Sequence, residues 1–151
     1  MKKILPFLFL AILTAALTSS CQDEFCLDPT TPNLIIRFYD KDVVTEKKSI
    51  ELKVWVENKD TIYNGVSTDS IYLPIDTKNS SVVYHIKSDD ITEDITLSYT
   101  VEDKFVSKAC GFKSIFNNIT VNTTNNGWLN SFTTTTSDIT NQNQAHVKIF
   151  H

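Results

Sequence analysis

Three cysteines and three histidines are the side chains of this chain best suited to covalent or metal chemistry, and their spacing separates their roles. Cys21 closes the run Thr18-Ser19-Ser20-Cys21, directly after an apolar stretch from Ile4 to Leu17 and a basic start at Lys2 and Lys3. A basic start, an apolar core, small residues and then a cysteine is the order of a bacterial secretory signal that ends at a lipidation site. Leu17 stands one position further from the cysteine than is most common at such sites. The apolar run covers residues 4–17, short of the roughly twenty residues that a spanning helix needs. This order predicts residues 1–20 as a signal peptide and Cys21 as the acylated first residue of the mature chain. The alternatives are an uncleaved N-terminal anchor, and plain secretory cleavage that leaves Cys21 an ordinary thiol.

With Cys21 consumed, Cys26 and Cys110 remain in an exported, oxidising setting where disulfides persist. They stand 84 positions apart, and a Cys26–Cys110 disulfide would staple the N-terminal tether to a late strand. The alternative is a buried Cys110 acting as a small hydrophobe, with Cys26 exposed. His85, His146 and His151 show no His-x-x-x-His spacing and the cysteines no Cys-x-x-Cys. A metal site would therefore have to be assembled from distant strands. Each histidine reads as a strand-surface or terminal residue, and neither metal nor cofactor is expected.

Nothing nominates a catalytic site. Gly65, Gly111 and Gly127 are the three glycines and lie far apart, which excludes a phosphate-cradling loop. No Gly-x-Ser-x-Gly elbow is present. The pairs Asp89–Asp90 and Glu93–Asp94 read as solvated loop charges, without the ligand spacing of a calcium loop. Carboxylates for glycoside hydrolysis can come from separate strands, but no pair is singled out. A non-enzyme is the expectation. The whole chain has a net charge of −4; setting aside Lys2 and Lys3 with the leader leaves 12 basic and 18 acidic side chains, a net of −6. With Arg37 the single arginine, a nucleic-acid partner is not expected, because phosphate binding needs a basic face.

The elements that must position these residues are strands. Residues 22–32 form a tether that ends at Pro32. Leu34, Ile36 and Phe38 then alternate with Ile35, Arg37 and Tyr39, and Ile50, Leu52, Val54 and Val56 alternate with Glu51, Lys53, Trp55 and Glu57. Period-two alternation marks half-buried strands. Residues 58–68, with Gly65, read as a loop. Ile71, Leu73 and Ile75 mark a short strand that Pro74, lacking an amide donor, places at a sheet edge or bulges there. Val82, Tyr84 and Ile86 form another, ended by an acidic loop over 88–94. Ile95 to Val101 alternates again, Asp103–Lys104 reads as a turn, and a partner strand follows over 105–112. Residues 115–121 favour a strand, with a short helical turn over 115–118 as the alternative. Asn126–Gly127 is a turn signal, residues 138–144 a polar loop, and Ala145, Val147 and Ile149 a closing strand. Seven to nine short strands without an amphipathic helix predict an all-β, antiparallel, immunoglobulin-like β-sandwich. It occupies residues 33–151 as one domain, with 21–32 as lipidated N-terminus and tether.

Several segments together resemble an uncharacterised family of small Bacteroidota lipoproteins. They are the leader, Pro32-Asn33-Leu34-Ile35-Ile36-Arg37-Phe38, Leu97-Ser98-Tyr99, Ala109-Cys110-Gly111-Phe112 and His146-Val147-Lys148-Ile149-Phe150. The resemblance covers essentially the whole mature chain. It implies compartment and overall plan, and no mechanism.

Three hypotheses for function follow. The first is a lipid-anchored, non-enzymatic binding or structural module of the cell envelope, with an envelope protein or glycan as partner. The second is a carbohydrate- or peptide-binding surface lipoprotein. It would use Trp55, between Lys53 and Glu57 in character, and Trp128, after the Asn126–Gly127 turn. Flat exposed rings stack on sugars or seat in interfaces; the alternative is that Trp55 covers the sheet's second face or packs under a loop. An enzyme is the third and weakest. Asp60-Thr61-Ile62 and Asp69-Ser70-Ile71 match the acidic–hydroxyl–apolar pattern of Bacteroidota O-glycosylation, which makes Thr61 and Ser70 candidate sites. Asp23 and Glu24 after the cysteine resemble surface-export signals, so the outer membrane is the expected location, surface-exposed or periplasm-facing.

Overall fold

The structure, a computed structural model, describes residues 31–124 and 127–151. The leader, Cys21 and Cys26 lie outside the described residues. Nine strands follow in order: β1 (Leu34–Tyr39), β2 (Ile50–Trp55), β3 (Tyr63–Thr68), β4 (Ser70–Leu73), β5 (Ser81–Ser88), β6 (Ile91–Ser107), β7 (Gly111–Thr123), β8 (Ser131–Thr134) and β9 (Val147–Phe150). They form a four-stranded sheet, β4-β1-β9-β8, and a five-stranded sheet, β3-β2-β5-β6-β7. The fold is the expected all-β sandwich. All pairings are antiparallel except β1 with β9, which run parallel.

The core is built by alternation. Leu34, Ile36 and Phe38 of β1, Ile71 and Leu73 of β4, and Val147 and Ile149 of β9 face inward from one sheet. Leu52 and Val54, Tyr84 and Ile86, and Ile95, Leu97 and Tyr99 face them from the other. Slipping β2, β5 or the first half of β6 by one residue would exchange its apolar set for its polar one, which fixes the register. The crossing from β4 to β5 is tied down by two phenols. Tyr84 Oη donates to the Pro74 carbonyl at 2.8 Å and Tyr99 Oη to that of Asp76 at 2.6 Å. Burial pushes both phenols up, Tyr99 to about 12. β4 is an edge strand, as expected, but it ends at Leu73, so Pro74 lies just beyond its ladder and Ile75 is not part of it.

Four local expectations are corrected. Residues 58–68 are not all loop: Tyr63–Thr68 pairs with β2 as an edge strand. Gly65, at φ 63°, is the extra residue of a bulge opposite Leu52 and Lys53. The strand is half-exposed or exposed throughout, so it carries no alternation to read. The acidic loop over 88–94 is instead a two-residue turn, Asp89–Asp90, with β6 starting at Ile91. The turn at Asp103–Lys104 does not exist. Asp103 pairs with Ser114 and Lys104 with Lys113, and the chain reverses over 108–110. No helical turn forms over 115–118, which lies within β7.

Candidate functional site

The alternation that turns Val54, Ile86 and Ile95 inward turns Trp55, His85 and Asp94 outward, onto the open face of the five-stranded sheet. The register sets Trp55 opposite His85 and His85 opposite Asp94, so three neighbouring strands hold the three side chains in one row. The Trp55 and His85 rings stack at 5.3 Å and 26°. Lys53 Nζ lies 5.8 Å from the Trp55 ring centroid, a cation–π contact. His85 Nδ1 and Asp94 Oδ1 are 2.7 Å apart, so the carboxylate holds a proton on Nδ1 and fixes the ring. Thr96, Ser98, Thr120 and Asn122 continue this polar face across β6 and β7. The row can present a flat, half-buried indole beside an oriented imidazole and a strip of hydroxyl and amide groups.

Trp128 is not part of it. It packs against the core, with its ring 6.3 Å from Phe38 and 6.4 Å from His151. Its Nε1 is buried without a hydrogen-bond partner. The two tryptophans therefore sit in different environments and share no face. Trp55 takes the alternative foreseen for it, covering the sheet's second face.

Two residues carry structure that their sequence context concealed. Glu93, read as a solvated loop charge, is fully buried. Its carboxylate accepts from Thr124 Oγ1 at 2.9 Å and from the Gly127 amide at 2.7 Å. The signal was parity, because Glu93 falls in step with the inward Ile95, Leu97 and Tyr99. It anchors the segment that delivers Trp128 to the core. His146, read as a surface residue, is also buried, and burial holds its pKa below the ordinary value. Its Nδ1 accepts from the Ile35 amide at 3.0 Å, and Nε2 faces the Asn141 carbonyl at 3.0 Å. That pattern requires the neutral tautomer with its proton on Nε2. His151 stays near the end as expected, its Nε2 3.3 Å from the Lys48 carbonyl.

Of the modification candidates, Thr61 is exposed between β2 and β3. Its neighbours Asp60 and Ile62 line a cleft of about 540 Å³ that also includes Val56, Pro74 and Ile75. Ser70 is half-buried in β4, where its hydroxyl donates to Asp69 and accepts from Arg37. Cys110 sits in the β6–β7 turn with its amide bonded to Ser107 Oγ at 3.0 Å. Beside it the hairpin arm exposes Phe105 and Phe112, which sequence reading missed because the turn was placed too early. A groove of about 370 Å³ runs between this arm and Thr140–Asn141. No group of three or more His, Cys, Asp or Glu side chains placed to hold a metal ion occurs among the described residues, nor a helix long and apolar enough to cross a membrane.

A family model described as a family of unknown function, DUF6452, matches residues 51–151. The chain belongs to DUF6452. No curated protein and no solved structure matches it. The DUF6452 match takes in the Trp55–His85–Asp94 row, Glu93, His146 and the whole β6–β7 hairpin.

Proposed function

We propose that this DUF6452 chain is a lipid-anchored lipoprotein of the cell envelope whose sandwich is a non-enzymatic binding or structural module. The observation that carries the anchor is the passage from the apolar run over 4–17 through Thr18-Ser19-Ser20 into Cys21. Two or three acyl chains at about 0.8 kcal/mol per buried methylene hold a protein stably on a bilayer. Asp23 and Glu24 support export to the outer membrane. The resemblance to Bacteroidota lipoproteins supports the same compartment. A Cys26–Cys110 disulfide belongs to this reading. It is supported by the oxidising compartment, and Cys110 does not stand as a free thiol. Mass spectrometry of the mature N-terminus tests the anchor: diacylglyceryl and acyl mass on Cys21 is expected, and an unmodified N-terminus overturns it. Affinity capture of the acylated protein from its native envelope tests the module, with a defined protein or glycan expected to co-purify.

A second reading is favoured by one feature, the half-buried Trp55 ring held beside His85 over a hydroxyl-rich sheet face. It makes this face a carbohydrate- or peptide-binding surface, with Trp55 alone as the aromatic platform. Glycan-array binding that disappears in Trp55→Ala would support it. Binding that survives the change would end it.

A further inference from the structure

We propose that the tip of the β6–β7 hairpin is a membrane-contacting element that dips into the headgroup region of an anionic bilayer. For its position relative to a membrane this rests on the lipoprotein reading; the chemistry of the tip stands apart from it.

Between Val101 and Ser107 the β6 arm has no fully buried residue, and the tip side of β7 from Gly111 to Ser114 has none either. An isolated two-stranded ribbon gains little stability in water. What this one carries at its end is specific. Phe105 and Phe112 are cross-strand partners, exposed at 55% and 66%, with ring centroids 5.3 Å apart in an edge-to-face pair. One step back along each strand, Lys104 stands opposite Lys113, and alternation puts that pair on the other face of the ribbon. Lys108 is exposed in the turn. Like charges directly opposite destabilise a strand pair. None of the three lysines makes an ion pair among the described residues. The nearby acids are engaged with neutral groups, Asp103 with Ser114 and Glu102 with Asn117.

The tip is thus basic and aromatic on a chain of net charge −4. Exposed rings with lysine stems that reach sideways to phosphate level are the chemistry of a bilayer interface. A stable protein partner needs roughly 800 Å² from each side, whereas the tip offers two rings on a narrow end. Its placement agrees. Cys110 lies in the same turn, and Cys26 stands five residues from Cys21. Five extended residues reach about 18 Å, so a Cys26–Cys110 bond would keep the tip close to the acyl chains.

The test uses residues 21–151 carrying Cys21→Ala, which removes the acyl anchor and keeps all nine strands. Flotation with vesicles of phosphatidylglycerol and phosphatidylcholine is compared with flotation on phosphatidylcholine alone. Binding to the anionic vesicles is expected. It should fall about fivefold for each of Lys104→Gln, Lys108→Gln and Lys113→Gln, and vanish in Phe105→Ser/Phe112→Ser with the thermal unfolding midpoint retained. Phe112→Trp should give an emission blue shift on anionic vesicles that the parent lacks. Failure to bind anionic vesicles, or binding indifferent to the phenylalanine pair, overturns the proposal. So does a concentration-dependent dimer that needs Phe105 and Phe112 and binds no vesicle. An unmodified Cys21 in the natural protein would instead overturn the lipoprotein reading, and leaves the vesicle result as it stands.

Discussion

His146 bonds twice to Ile35: its amide donates to the Ile35 carbonyl at 2.9 Å, and its Nδ1 accepts from the Ile35 amide at 3.0 Å. One residue before β9 thereby does for the start of β1 what a ladder partner would do. The arrangement works only with a neutral ring. His146→Ala leaves a buried amide unpaired and should cost about 2 kcal/mol, measured as a lowered urea midpoint. A variant as stable as the parent would contradict this role.

The same ring sets a pH dependence. Burial lowers the folded pKa of His146, and of His151, below the ordinary 6.5. The unfolded chain therefore binds more protons between the folded value and 6.5. Stability is fully present above about pH 6.5 and declines as pH falls through that window. The lowered carboxyls of Asp40, Asp76 and Asp138 act in a separate window, below their ordinary 3.8. Urea midpoints between pH 7.5 and 5 should fall. A flat profile would show that neither histidine is held neutral.

Glu93→Ala removes the acceptor of two hydrogen bonds at a buried site, and should cost about 2–3 kcal/mol. Glu93→Gln keeps one carbonyl oxygen and should lose less. Amide exchange at Gly127 and Trp128 should quicken in both, more in the alanine variant. Equal exchange in all three proteins would mean that the carboxylate does not hold this segment.

The two tryptophans should separate by their burial. Trp128→Ala opens space against Phe38 and should cost about 3 kcal/mol, whereas Trp55→Ala on the sheet surface should cost about 1 kcal/mol, the worth of an aromatic pair. Thermal unfolding of both variants checks the order. The reverse order would make Trp55, not Trp128, the structural ring.

Closing an 84-residue separation, a Cys26–Cys110 bond should add about 4.5 kcal/mol in the chain-entropy model. Non-reducing peptide mapping should find the linked pair, and Cys26→Ala should unfold at markedly lower denaturant. Two labelled thiols in unreduced, unfolded protein would disprove it.

How much of this was legible follows from burial. β2, β5 and the first half of β6 each have one apolar face, and β1 is a short apolar run buried on both faces, so their patterns revealed them and with them the sandwich. β3 and the outer arm of the β6–β7 hairpin bury neither face. Nothing in Tyr63–Thr68 or Val101–Ser107 distinguishes strand from loop by period. Trp55 was singled out from its place among charged neighbours. Its partners His85 and Asp94 were not, because cross-strand register is not written in either strand alone. Glu93 was misread by residue type although its parity was correct, and His146 because its two partners are backbone groups far away in sequence.

The parallel pairing of β1 with β9 also orders events in time. Residues 36–39 are made more than 100 residues before their partners 147–150. Both strands are interior to their sheet. A nascent chain therefore carries β1 without its parallel partner until residues 147–150 have been made, and the four-stranded sheet closes only then. Such late, long-range closure makes folding slow. Under the lipoprotein reading proposed above, that delay would keep the chain unfolded while it is exported.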